Sequence, residues 1–470
     1  MTKHKISDIE KKFKSSKKVD LVFRSLVVLT FLFFILRTLE LAISSYFGIG
    51  PDESYHIGLS KLYSENVLLV KNTEENIRYG LTENIPYLYH FILGNIIKLT
   101  SNNSIIDYRI ILRIVNIVFA TITVAYTYKI TSLITKSRLV KLLSIVILTN
   151  LPMFSFLGAM VSYDNLLIML STISVYYLLV FTKSSNLKNL TLLIIFLTLG
   201  SLTKITILPL VLLLSIIALA QIYKNRHLIK IKGVTDLDIT NLILIGIALF
   251  TSSLFLFHYG NNIISYKNIL PNCTQVYAQE VCQRNKIFSR DEELTGNIPG
   301  VEIINRFHYF KYWKDHIYQT TTGIFGSKSL IKQEVLIVPY RIIVLITTIY
   351  LIRHFNRKSK SINYLILIVI FYSLFLAYYQ NYRTYQNTQL IFVALQGRYI
   401  LPIIGPIVSL ISISLLNLSK NLYLKIIIFV MISTIFILGD YVYLKRNIPD
   451  SWYNKSQVST FLKETNEIFR

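Results

Sequence analysis

Apolar runs of roughly 17–22 residues recur along this chain, and each is long enough to cross a bilayer core as a helix. Inside lipid only helices and closed barrels satisfy the backbone. The runs are too long and too uniformly apolar for the alternating pattern of barrel strands. The chain has 470 residues, 53% of them hydrophobic, and a mean hydropathy of +0.50. A soluble chain of that length would usually divide into two or more domains and carry more charge. The pattern predicts an all-α polytopic membrane protein.

The formal net charge is +24, but its placement argues against nucleic-acid binding. Much of the Lys and Arg sits in short links between apolar runs, as positive-inside charge, and no basic face or recognition module is visible. The first run, Leu21 to Ile43, is too long for a signal-peptide core and has no small-residue cleavage site after it, so it reads as a retained helix. The preceding tail, residues 1–20, is rich in Lys and is expected in the cytoplasm. Further spans are expected near 108–133, 142–160 and 166–181. Segment 189–223 has basic links on both flanks, so it must cross twice, turning at "GSLTK". Spans near 242–257, 335–352, 364–379, 399–416 and 422–444 complete a bundle of about eleven. The carboxyl-terminal tail, 445–470, is then outside. The expected organisation is a transmembrane module over 21–257, an outer loop over 258–333 and closing helices over 334–444.

Two long segments face out in this arrangement, 44–107 and 258–333. Both cysteines, Cys273 and Cys282, fall in the second. An outward compartment is oxidising, so a disulfide is the expected state. No internal repeat or separate soluble domain is visible.

The same topology gathers Asp52, Glu53, His56, Glu83, Arg113, Asp164, Lys204 and Arg398 at outer helix ends. Each has an ordinary structural reading. Lys204 or Arg113 alone reads as a snorkelling cation. Asp164 reads as a helix N-cap, and "PDE" as a helix start with acids in its first turn. "GRY" at 397–399 reads as an interfacial anchor, and His56 as a hydrogen-bonded structural group. Their convergence on one face has a chemical logic. Acids can serve as general bases for an acceptor hydroxyl, and cations can stabilise a phosphate leaving group. No phosphate-cradling Gly-rich loop is present. Soluble nucleotide donors belong on the other side, so a phosphate-bearing substrate here is expected to be a lipid.

An acidic "PDExxH" after the first helix, here "PDESYH", resembles the GT-C superfamily of membrane glycosyltransferases. That superfamily includes protein O-mannosyltransferases and the aminoarabinose transferases of lipid A. "ENIPYLYH", residues 83–90, resembles their "EKPPLPYW" stretch. "RIILRIVNIVFATITVAYTY" resembles the second helix with its Arg, here Arg113. "VSYDNLL" resembles the second acidic motif, at Asp164, and "LGSLTKITILPL" the motif supplying an outer Lys, at Lys204. "QGRYILPIIGP" resembles a "GRYLLP" helix start, at Arg398. The resemblance covers about residues 21–213 and is thin afterwards. It departs at Asn84, where the aminoarabinose branch has Lys.

The resemblance implies a GT-C-like bundle with two long extracytoplasmic loops. It implies transfer of a hexosyl or pentosyl group from a polyprenyl-phosphate carrier to a lipid, glycan or protein acceptor. The catalytic role falls to Asp52, with Glu53 and Asp164 beside it. Lys204, Arg398, Arg113, Glu83 and His56 fall to substrate or phosphate contacts. Some members place a divalent metal near the acids, and nothing in this sequence fixes one. The expected location is a bacterial inner membrane, with the amino terminus cytoplasmic. A transporter or flippase of lipid-linked sugars is the alternative. Transporters place ionisable groups near the midplane and often show paired repeats, whereas here the informative charges sit at outer ends and no repeat is visible.

Overall fold

A computed structural model describes residues 17–100, 107–226, 238–294, 303–326, 329–354, 359–391, 393 and 395–453. The expected cytoplasmic tail through residue 16, parts of the basic links at 227–232 and 355–358, and the tail from 454 onward lie outside the described residues.

Among the described residues, nine helices are long and apolar enough to cross a membrane, or ten if one bent pair is a single span. The protein is an integral multi-pass membrane protein. Helix α1 (Lys17–Ser44) turns most of its apolar surface outward, with Leu21 and Leu36 about two-thirds exposed. In a membrane protein that surface faces lipid. After α1 come α2 (Glu53–Ser64) and α3 (Leu88–Thr100), which pack on each other beside the bundle. Helix α4 (Tyr108–Ile134) buries Leu112, Asn116, Ala120, Thr123, Thr127 and Ile130, a stripe at helical spacing.

The third expected span is broken. Helices α5 (Arg138–Thr149) and α6 (Pro152–Gly158) meet at 66°. Pro152 pushes Leu151 into extended backbone, which ends α5 before the bilayer is crossed in one line. Helices α7 (Tyr163–Ser184), α8 (Leu187–Ser201) and α9 (Leu208–Lys224) follow, with the turn between α8 and α9 at 202–207. Helix α8 has only 15 residues, roughly 22 Å, short of a full hydrocarbon core. The eleventh expected crossing rests on it.

Helix α10 (Ile239–Tyr266) leads to the second loop region, which contains α11 (Lys286–Leu294), α12 (Arg306–Thr322) and a small hairpin of β1 (Ile324–Gly326) and β2 (Ser329–Ile331). Ile324 pairs with Ile331 in antiparallel register. The closing helices are α13 (Ile337–His354), α14 (Lys360–Leu374), α15 (Tyr382–Thr388), α16 (Ile404–Leu416), α17 (Leu422–Ile437) and α18 (Tyr443–Asn447).

Two spans form the interior. The window of α7 is 78% buried and that of Gly397–Leu416 is 89% buried, against 6% for α1. Small and hydroxyl residues bring these helices together. A Cβ on Gly405 would lie 3.0 Å from Thr127 Oγ1 and 3.1 Å from Thr172 Cγ2, so α4, α7 and α16 meet there. Thr131 Oγ1 lies 2.8 Å from Ser409 Oγ and donates to Ser144 Oγ at 3.0 Å, joining α4, α16 and α5.

One buried ion pair was not visible in the sequence pattern. Arg37 Nη1 lies 2.6 Å from Asp440 Oδ2, and Ser155 donates to the same oxygen at 2.9 Å. Arg37 also donates to Ser155 Oγ and to the Thr149 carbonyl. The pair ties α1 to the α5–α6 break and to the π-helical segment Leu438–Val442. It therefore fixes the helix that delivers the first outer loop.

Candidate active site

The chain leaves α1 through a loop that is held at both ends. Ser45 bridges to Tyr453, and Tyr46 N donates to the Trp452 carbonyl at 3.0 Å. The loop ends at Asp52, which has φ 59° and ψ 15°. A non-glycine residue in this left-handed region carries strain, though Asp tolerates it better than most. Asp52 occupies the N-cap position of α2, yet its side chain makes no capping bond. Its carboxylate instead accepts from Arg398 Nη2 at 2.6 Å, and its side chain is 54% exposed.

Glu53, the adjacent acid, is wholly buried. Its two oxygens accept from Arg113 Nε and Nη2 at 2.8 and 2.9 Å. They also accept from the backbone N–H groups of Gly48 and Val161. Arg113 donates further to the carbonyls of Ala42, Ser45 and Tyr46. The pair thus stitches the end of α1, the loop, α4 and the start of α7 together. Adjacent carboxylates go to opposite places because the left-handed turn at Asp52 points one outward and the start of α2 points the next inward.

Arg398 is the second residue of a 3₁₀ segment, Gly397–Ile403. Gly397 has no room for a side chain: a Cβ would lie 2.4 Å from Thr321 Oγ1 and 2.5 Å from backbone atoms of α12. Its N–H donates to Thr320 Oγ1 at 2.7 Å. That close approach sets Arg398 between two acids, with Asp164 Oδ2 3.6 Å from its Nη1. Asp164 sits in the first turn of α7, capped by Ser162. Its other oxygen accepts from Lys204 Nζ at 2.6 Å. Lys204 lies in the turn after α8, its ammonium 4.2 Å from the Tyr163 ring centre and 4.8 Å from that of Tyr399. The result is an alternating chain of charges, Asp52–Arg398–Asp164–Lys204. Asp52, Arg398 and Lys204 line one cavity of about 590 Å³, and Asp164 is buried behind them between Arg398 and Lys204.

His56 and His90 line the same cavity, with His56 Nδ1 3.0 Å from His90 Nε2. Arg78, Lys286 and Arg290 also reach it from the outer segments. Cys273 and Cys282 form a disulfide. The stapled segment docks on the first outer loop through Arg284 and Glu74, 3.2 Å apart, and through Asn285, which donates to the Ile77 carbonyl. This docking carries α11 and its cations to the cavity.

Two expected residues stand elsewhere. Glu83 is exposed and exchanges hydrogen bonds with Asn72. Arg113 belongs to the buried Glu53 pair. Asn84 is buried, accepts from Asn72 and donates to Asn262 Oδ1 at 2.7 Å, so it joins the first loop to α10. His90, Tyr163 and Tyr399 were not singled out in the sequence. Each lies inside a quoted motif, but nothing local distinguishes it from an interfacial aromatic or a structural histidine.

The acids do not fit a resident metal ion. Asp52 is held by Arg398, and Asp164 by both Lys204 and Arg398. Among the described residues no group of three or more His, Cys, Asp or Glu side chains could hold one.

The electrostatics outside the spans follow from burial and these partners. Burial alone would raise the Asp52 carboxyl, but the charge and hydrogen bond of Arg398, with His56 and Lys204, hold it below the ordinary 3.8. Burial pulls the Lys204 ammonium down, yet Asp164 and the two tyrosines outweigh it and hold it above its ordinary value. Burial lowers His56 from 6.5 to about 3 and His90 well below 6.5. The histidines are therefore neutral when folded and take up protons on unfolding below pH 6.5. A lowered histidine contributes stability above 6.5 that is lost as pH falls from there, by at most about 1.4 kcal/mol per pH unit for each ring. Asp52 contributes to this slope only around and below 3.8, where the unfolded chain's carboxyl takes up a proton that the folded one, held lower, does not. The thermal midpoint of the purified protein should therefore fall between pH 6.5 and 4, and His56→Gln should flatten that slope. An unchanged slope would show that the rings already titrate normally in the folded protein.

In its fold this helical bundle is similar to solved membrane glycosyltransferases, and part of the chain matches a glycosyltransferase family model. Residues 85–251 match the family model described as dolichyl-phosphate-mannose-protein mannosyltransferase. The archaeal oligosaccharyltransferase AglB from Archaeoglobus fulgidus, in complex with an inhibitory peptide and a dolichol-phosphate, is similar at 12% identity and TM-score 0.50. That alignment covers 94% of this chain and 57% of that one. ArnT from Cupriavidus metallidurans bound to undecaprenyl phosphate is similar at 11% identity and TM-score 0.49, covering 85% of this chain and 62% of that one. The chain thus spans less than two thirds of either structure's length. No curated protein matches it in sequence.

Proposed function

We propose that this protein transfers a sugar from a polyprenyl-phosphate carrier to a lipid, glycan or protein acceptor on the extracytoplasmic face of its membrane. The observation that carries the reading is the alternating chain Asp52–Arg398–Asp164–Lys204 at the helix ends, of which Asp52, Arg398 and Lys204 line one cavity. The dolichol-phosphate in the archaeal oligosaccharyltransferase complex and the mannosyltransferase family match point the same way. The basic links support an inner-membrane protein of eleven spans with its amino terminus in the cytoplasm. In this reading residues 21–257 are the catalytic module and 258–333 the acceptor-side loop.

The acceptor hydroxyl attacks the anomeric carbon as the bond from that carbon to the phosphate oxygen breaks. Asp52 takes the hydroxyl proton. The lipid phosphate leaves with the bonding pair, and Lys204 and Arg398 meet the charge that develops on it. Arg398 Nε and Asp164 Oδ2 are buried and have no hydrogen-bond partner among the described residues. Arg398 can therefore turn to the phosphate while Asp164 keeps Lys204 in place. Glu53 and Arg113 hold the loop and act on the reaction only through Asp52.

The test is transfer by the purified chain in nanodiscs from polyprenyl-phosphate sugars, with acceptors taken from the envelope of a deletion strain. Lys204→Ala should raise the donor KM about tenfold or more, a loss expected for one charge-assisted hydrogen bond, while the protein still accumulates. An unchanged donor KM would leave Lys204 a structural partner of Asp164.

A further inference from the structure

The two histidines are a buried polar feature of the cavity that the reaction above does not use. Both rings are within 2% of full burial. They share a single hydrogen bond, between His56 Nδ1 and His90 Nε2 at 3.0 Å. Their outer atoms, His56 Nε2 and His90 Nδ1, are buried with no hydrogen-bond partner among the described residues. Buried polar atoms left this way call for a partner that the protein alone does not supply.

The shared bond restricts what that partner can be. One ring donates and the other accepts between them, so of the two outer atoms one carries a hydrogen and the other a lone pair. A shift of both protons exchanges these roles. A hydroxyl donates and accepts, so it can pair with either arrangement. An ammonium or a carboxylate fits one arrangement only and meets no opposite charge in the pair. The surroundings match a sugar ring. The Tyr163 ring centre is 4.4 Å from that of His56 and 4.2 Å from Lys204 Nζ, so the pair is one aromatic ring away from a phosphate-binding cation. Tyr55 and Tyr89 stand edge-on around both imidazoles. Aromatic faces beside hydrogen-bonding groups suit a pyranose, whose ring is apolar on its faces and polar at its rim.

We propose that the His56–His90 pair is a neutral subsite that reads a hydroxyl of the transferred sugar. It selects neutral hexosyl donors over amino sugars and uronic acids. This rests on the transferase reading, with the lipid phosphate at Lys204 and Arg398.

The experiment is binding to the full chain in nanodiscs, measured for polyprenyl phosphate alone and for the same lipid carrying mannose, glucose or galactose. The wild-type protein should bind at least one sugar-bearing lipid roughly five- to tenfold more tightly than the bare lipid, the value of one net hydrogen bond. His56→Phe and His90→Leu should each lose that increment and keep bare-lipid affinity. His56→Gln, which retains a donor and an acceptor, should restore part of it. An increment that survives in both apolar variants overturns the subsite. So does a wild-type protein that gains nothing from any of the three sugars, and so does loss of bare-lipid binding in every variant, which would make the pair structural. If the wild-type protein does not bind the bare lipid phosphate, the transferase reading itself fails and the subsite goes with it.

Discussion

Asp52→Asn is expected to cut sugar transfer by about 10²–10⁴-fold, or about 3–5 kcal/mol of barrier, while abundance stays near normal. The substitution removes the basic oxygen and little else. Asn tolerates the left-handed conformation at φ 59° as well as Asp does. The side chain caps nothing on its own helix, so α2 keeps its start. Arg398 loses one counter-charge but retains Asp164 at 3.6 Å. The readout is single-turnover transfer from a purified donor, alongside the thermal midpoint. Full activity would remove Asp52 from the chemistry and reopen the transporter alternative.

Glu53→Ala should act through folding instead. Its side chain and that of Arg113 are both wholly buried. Removing the carboxylate leaves a guanidinium inside the protein without its partner, at a cost of about 3–5 kcal/mol. The N–H groups of Gly48 and Val161 lose their acceptor as well. The expected result is poor accumulation and a much lower thermal midpoint in detergent. Glu53→Gln should lie between, since an amide oxygen can still accept one bond. A Glu53→Gln protein that accumulates normally yet transfers nothing would instead put Glu53 in the reaction.

These two neighbours show how far the sequence could be read. Two acids after an apolar run look equivalent in the chain, and both were assigned to catalysis there. The positive φ at Asp52 separates them, and no rule of composition marks an Asp for that conformation. Arg113 shows the same limit. A cation near a helix end fits phosphate binding as well as a buried clamp until the end of α1 is placed against it. Pro152 was visible, but the 66° bend it introduces was not. Arg37 and Asp440 each stood alone within an apolar run, which was a signal in itself. Their pairing depends on which helices touch.

What the sequence determined by itself was everything that local chemistry decides. Long apolar runs must be helices in lipid, and basic links give them a consistent order. The short motifs lie where those helices end, so the candidate acids and cations fall at one face. The tertiary structure decided which of these charges meet. Asp52 and Arg398 are 346 residues apart in the chain, and Glu53 and Arg113 are 60 apart. Periodicity within a helix says which face is buried, not which neighbour buries it. An ion pair a few ångströms long depends on that neighbour, and only the packed bundle selects it.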